Sequence, residues 1–179
     1  MLFRSGGVGD AVEWVGVLAV GVCVVGVEHG GEWLWHASLS YHYAQFMWFH
    51  DPARREVKYG KASRVDFLLE KAGSPRCFVE VKNVHLKRNG RAEFPDSVTA
   101  RGAKHMAELA DQVTAGDRAV VLFVVQRDDC DSFAPAADID PAYAAAFRAA
   151  RAHGVEALCY GCKVSPDAIQ LDRALAVEP

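Results

Sequence analysis

Between Arg118 and Gln126 stand seven apolar residues in a row, Ala-Val-Val-Leu-Phe-Val-Val. A strand with one wet face alternates apolar and polar residues, so a strand with none of that alternation must be covered on both faces. Such strands lie at the centre of parallel or mixed sheets, and parallel neighbours need crossover connections, usually helices. Two segments have the helical period. In "DSVTARGAKHMAELADQV", Val98, Met106, Leu109 and Val113 fall mainly on one side, with Asp96 or Ser97 as the expected N-cap. In "DPAYAAAFRAARAHG", Pro141 sits in the first turn and Gly154 marks the stop. "RVDFLLE" and "RCFVEVKNVHL" read as strands joined by the turn "KAGSP". Asn89-Gly90 is a type I′ hairpin signal, so a short strand should follow and end at Phe94-Pro95. "VEALCYGCKV" is one more strand, and "SPDAIQLDRALAV" closes as a turn with a strand or extended tail. From Asp51 on, the order predicts an α/β fold, a mixed β-sheet flanked by helices on both faces.

Two of these strands carry charge where burial is expected. Glu80 and Lys82 are two apart, so they project to one face about 7 Å apart at the Cα atoms, while Val79, Val81 and Asn83 face the other way. Asp66 lies in the preceding strand and meets Glu80 if the two strands pair as a hairpin. Two carboxylates at that range repel, and a divalent cation removes the conflict. Hard oxygen ligands and an incomplete protein shell favour Mg²⁺ or Mn²⁺. Such an ion grips a phosphate oxygen and acidifies a bound water, and Lys82 can position that water or offset developing negative charge. Asp-x(13)-Glu-x-Lys is therefore a compact metal-assisted phosphodiesterase pattern. The other reading of the same residues is salt bridging among Asp66, Glu80, Lys82 and Arg64 at strand edges.

Charge is unevenly spread. Residues 54–104 hold 13 Lys+Arg against 6 Asp+Glu, and residues 105–179 hold 6 against 12. A basic block around acidic residues suits an anionic partner that meets a metal, provided the segregation survives folding. The five cysteines make no disulfide framework, which points to a cytoplasmic protein, and Cys159-Tyr-Gly-Cys162 has no second pair for a zinc ribbon.

Residues 1–50 differ from the rest. They contain no lysine, all four tryptophans and four of the seven histidines. Val15 to Val27 is apolar but shorter than the roughly 20 residues a membrane helix needs, and it alternates Val with Gly. Asp10 and Glu13 precede it, with Arg4 the lone basic residue, so neither a signal peptide nor a membrane span is expected. If ordered, the run is one or two strands. The composition breaks near Asp51-Pro52, which divides the chain into an atypical segment, 1–50, and a domain, 51–179.

The larger block "EVKYGKASRVDFLLE", "CFVEVKNVHL", "AEFPDSVTARGAKHMAEL", "RAVVLFVVQR" and "FAPAADIDPAYAAAFRAARAHGVE" resembles the sugar fermentation stimulation protein A family, from about Glu56 to Val177. The resemblance implies a restriction-endonuclease-like C-terminal domain of the PD-(D/E)xK superfamily. In family members an OB-like β-barrel precedes it. It further implies DNA binding, a nuclease activity on DNA or RNA, and a link to maltose-gene regulation in bacteria. Carried over by position, Asp66 and Glu80 are the metal carboxylates and Lys82 the superfamily lysine. Glu56 is a further upstream acid for the metal shell, and Gln126 a glutamine near the metal. Both also fit ordinary hydrogen-bonding roles at strand ends. Arg64, Arg101 and Lys104 are the expected nucleic-acid contacts; an ordinary solvated helix face is the other reading of Arg101 and Lys104. Residues 1–50 do not look like the family's barrel, which is expected to be absent or replaced here, as a misread or truncated start would produce. Two further readings stay open: a non-catalytic DNA-binding regulator of sugar-metabolism genes, and an inactive fragment.

Overall fold

The computed structural model describes residues 54–60, 63–70, 72–165 and 169–179, together with the backbone of four earlier strands. Those four are β1 (Leu2–Ser5), β2 (Val12–Val17), β3 (Cys23–His29) and β4 (Glu32–Leu34). The Val15–Val27 run thus contributes to two strands, and the other readings made for residues 1–50 lie outside the described residues. Then come β5 (Arg54–Tyr59), β6 (Ser63–Leu69), β7 (Cys77–Val84), β8 (Leu86–Arg88) and β9 (Arg91–Phe94). Helix α1 (Ala100–Thr114) leads to β10 (Arg118–Val125) and β11 (Ser132–Pro135). Helix α2 (Pro141–Ala152), β12 (Glu156–Val164), β13 (Ile169–Ala174) and β14 (Ala176–Val177) complete the chain.

The apolar run is central, as its composition requires. β10 pairs parallel with β7 on one side and with β12 on the other, and Ala119 to Val125 are all buried. Outward from β7 the sheet continues antiparallel through β6 to β5; outward from β12 it continues antiparallel to β13, which pairs parallel with β3. A smaller sheet runs β14-β11-β9-β8. Its β8–β9 hairpin turns on Asn89 (φ 52°) and Gly90 (φ 81°), the pair of positive angles a type I′ turn demands.

Both described helices lie on one face of the large sheet, not on both faces as the order of elements predicts. Met106, Leu109, Tyr143, Phe147 and Ala150 share a core with Phe78, Val121, Phe123 and Val125. The opposite face carries Cys77, Val79, Val81, Val120, Leu122 and Val124. The reason is topological. The crossovers step the same way, β7 to β10 to β12, and two connections of one hand moving in one direction put their helices on one side. Among the described residues the strands form open sheets, and no helix is long and apolar enough to cross a membrane.

Helix α1 starts later than Asp96 or Ser97. Its N-cap is Thr99, whose hydroxyl accepts the Gly102 N–H at 3.0 Å. Asp140 caps α2 by accepting the Tyr143 N–H at 2.9 Å, and its other oxygen takes the Thr99 N–H at 2.7 Å. One carboxylate thus ties the two helix starts together.

Candidate active site at the β6–β7 fork

The antiparallel pairing of β6 with β7 runs Leu69–Cys77, Leu68–Phe78 and Phe67–Val79. One step further, Asp66 would face Glu80, and there the ladder ends. In place of a backbone partner, the Asp66 carboxylate reaches across and accepts the Val81 N–H at 2.7 Å. The other side of β6 is irregular at the same point. Its pairing with β5 skips from Arg55–Phe67 to Val57–Val65, and Glu56, between them, has φ 51°. Alternation slips there: Val65 and Leu68 both belong to the helix-side core, with Asp66 and Phe67 between them. A non-glycine residue at positive φ is uncommon in a strand, and such sites cluster where backbone is held for function. Pairing is therefore interrupted on both edges of β6 at Asp66.

β7 is paired along its whole other edge with β10. Phe78 and Val84 point to the helix side, so Glu80 and Lys82 between them do too. Glu80 is 3% exposed, yet it is well partnered on one oxygen. Oε1 accepts from Lys82 Nζ at 2.7 Å and bonds His105 Nδ1, from α1, at 2.5 Å. Oε2 is buried and has no hydrogen-bond partner among the described residues. Arg101 Nε donates to His105 Nε2 at 3.4 Å. With Nε2 accepting, Nδ1 carries the ring proton and donates it to Glu80.

The two carboxyls are driven apart. Burial would push Glu80 up, but the His105 hydrogen bond and the Lys82 charge outweigh it and hold Glu80 below the usual carboxylate range. Asp66 is raised, chiefly by burial and further by the Glu80 charge, against the pull of the Val81 N–H and Lys82. Each feels the same lysine, which places the trio in one electrostatic neighbourhood.

Glu56 is exposed and its charge adds to the upward push on Asp66. Gln126 goes elsewhere: its amide donates to Asn83 Oδ1 at 3.4 Å, and Asn83 alternates to the face opposite Lys82. Arg64 is exposed on β6. Lys104 Nζ lies 3.6 Å from Glu108 Oε1, one turn along α1. The sequence reading did not assign roles to His105, Glu108 or Tyr59. The Tyr59 hydroxyl is buried without a hydrogen-bond partner among the described residues, and burial together with the charges of Glu80, Glu108 and Asp66 raises its pKa. Next to it Gly60 has φ 57° and sits so close to Glu108 that a Cβ would stand 2.7 Å from Oε1. A signal for the helix residues existed: Arg101, His105 and Glu108 fall at i, i+4 and i+7, a polar stripe along the helix that packs on the sheet.

Asp66 offers a carboxyl oxygen and Glu80 an orphaned buried one, a donor set that suits a hard divalent cation. Among the described residues no three His, Cys, Asp or Glu side chains form a closed metal cage. Two carboxylates with the remaining positions left to water is the way Mg²⁺ is commonly held. Among the described residues the cysteines take no part. Cys77, Cys130, Cys159 and Cys162 are buried and free, and burial pushes the thiols of Cys77 to about 12 and Cys162 to about 11.

Fold and site together define a restriction-endonuclease-like α/β domain with an Asp, Glu, Lys trio at a strand fork. The family model "Sugar fermentation stimulation protein RE domain" matches residues 35–168, and the chain belongs to that family. It is 59% identical over 129 residues to the sugar fermentation stimulation protein homolog of Paramagnetospirillum magneticum, covering 72% of this chain and 55% of the relative. The homolog of Rhodospirillum centenum is 63% identical over 123 residues, 68% of this chain and 53% of the relative. The chain thus spans about half the length of the curated relatives it matches. Among solved structures it is similar to Pyrococcus furiosus SfsA in complex with Ca²⁺, with a TM-score of 0.67 and 24% identity over 88% of this chain and 79% of the other, a likeness of fold.

Proposed function

We propose that this chain is a metal-dependent nuclease domain that binds nucleic acid and hydrolyses phosphodiester bonds of DNA or RNA, with Mg²⁺ or Mn²⁺ between Asp66 and Glu80. The observation that carries the reading is the fork itself. β6 leaves β7 at the residue pair where both carry carboxylates, and the buried Glu80 Oε2 is left for a cation. The Ca²⁺ named with the Pyrococcus furiosus structure supports a hard divalent ion in this fold. When bound, the ion supplies positive charge to the phosphate oxygens and acidifies a water. Lys82, fixed by Glu80 at 2.7 Å, orients the attacking water and opposes the charge that builds on the phosphate. The water gives a proton to solvent as its oxygen bonds to phosphorus, the ester P–O bond breaks, and the departing oxygen takes up a proton. Arg64, Arg101 and Lys104, all exposed or nearly so, grip the backbone phosphates of the strand.

The test is a cleavage assay on labelled single- and double-stranded DNA and RNA with the 179-residue chain. Cleavage with Mg²⁺ or Mn²⁺, absent with chelator and abolished by Lys82→Ala, is expected. Tight binding without cleavage of any substrate would overturn the nuclease reading in favour of a DNA-binding regulator.

A further inference from the structure

Resting on that nuclease reading, we propose that His105 is the positioning residue of the site: it pins Glu80 through Oε1, which reserves Oε2 for the cation, and Arg101 locks the imidazole in the tautomer that does this. A glutamate side chain has three rotatable bonds, and either of its oxygens can face an ion. Lys82 alone does not choose between them, because a lysine head is a flexible point charge that follows whichever oxygen is offered. The imidazole is different. It comes from a helix on the opposite wall of the core, is 2% exposed, and presents one planar N–H at 2.5 Å. With Lys82 also on Oε1, one oxygen is doubly held and the other is bare.

The arrangement works in one tautomer. An Nε2–H ring would aim its proton at the Arg101 Nε–H, donor to donor at 3.4 Å, and turn a lone pair toward the Glu80 oxygen. The Arg101 donor removes that option. Groups that hydrogen-bond a ligating side chain commonly change metal affinity by about 10–100-fold, so His105 should count toward the ion without touching it. The fold places His105 across from the trio.

The test is calorimetric titration of the 179-residue chain with Mn²⁺, for the wild type, His105→Asn and His105→Leu. Leucine fills the volume without a donor, whereas the asparagine amide supplies an N–H near the place of Nδ1. His105→Leu is expected to weaken Mn²⁺ binding by about 10-fold or more and His105→Asn to recover most of the loss. Equal affinity in wild type and His105→Leu, or no recovery by His105→Asn, would overturn the positioning role and leave the nuclease reading standing. No Mn²⁺ binding by the wild type would remove the nuclease reading and this role with it. Nitrogen NMR of the metal-free wild type provides a check that needs no variant to fold. The His105 ring should be the Nδ1–H tautomer, and an Nε2–H ring would overturn the proposal.

Discussion

Asp66 performs two tasks that substitution can separate. Its carboxylate accepts the Val81 N–H, and its charge sits beside Glu80. Asp66→Asn keeps an acceptor and drops the charge, so it should lose Mn²⁺ affinity while keeping the fold. Asp66→Ala also strands the Val81 N–H, a partly buried donor, and should cost about 1 kcal/mol beyond the asparagine variant in urea unfolding. The pH dependence has a definite sign. The folded state raises the Asp66 pKa, so it binds that proton more tightly than the unfolded chain does. Metal-free wild type therefore loses stability as pH rises through the folded value, and Asp66→Asn should be relatively more stable at neutral pH than in acid. An Asp66→Asn variant that gains stability relative to wild type toward acid would contradict the raised pKa. At this scale the sequence was readable where a charge interrupts an apolar strand, as at Asp66, Glu80 and Lys82. It was not readable at Tyr59, and at His105 it went no further than a polar stripe on the helix, because the burial of both beside those charges is created by α1 lying across the sheet.

Among the elements, α1 matters most to the site, because it carries Arg101 and His105. Its start is fixed by Thr99 and, through the Thr99 N–H, by Asp140 of the α2 cap. Gly102 lies at the contact, where a Cβ would come within 2.8 Å of Thr99 Cγ2 and 3.1 Å of the Tyr143 ring. Thr99→Ala should cost about 1 kcal/mol of stability, as an ordinary lost cap does. Asp140→Ala should cost more than Thr99→Ala, because it removes acceptors from both helices, and Asp140→Asn should recover most of that loss. Equal effects of the two alanine variants in chemical denaturation would show that the helix starts are not tied. Both helices were legible from period and from Pro141, but the Thr99 cap was not. Asp96 and Ser97 are equally good capping types, and only the path of the chain into the helix decides between them. β11 was missed for a related reason: four residues ending in Pro135 carry too short a pattern, and β9 and β14 beside it define the strand.

On the scale of the whole molecule, the basic block of residues 54–104 does not survive folding as an open positive field. Arg76 pairs with Asp117, Lys87 with Asp129, and Arg88 with both Glu93 and Asp138. Arg91 joins Glu93 to Glu178. Most of these acids come from the acidic later half, so the segregation seen along the sequence becomes neutralisation in space. Arg64, Arg101 and Lys104 stand apart from that network. The apolar arrangement was more legible, since an unbroken apolar strand has one place to go. Phe123 in that strand stacks on Phe133 of the small sheet at 4.1 Å and meets Phe147 of α2 edge-on at 5.7 Å. Phe123→Ala should therefore cost about 3–5 kcal/mol, and a loss under about 1 kcal/mol in urea unfolding would show that the two sheets do not share one core.

The proposed function depends on Asp66 and Glu80 acting on one ion. Titration of the metal-free chain with Mn²⁺ by calorimetry, for wild type, Asp66→Asn, Glu80→Gln and Lys82→Ala, reads this directly. One site in the wild type, lost or weakened at least about 10-fold in each carboxylate variant and kept in Lys82→Ala, is the predicted result. Equal affinity in all four proteins would contradict it.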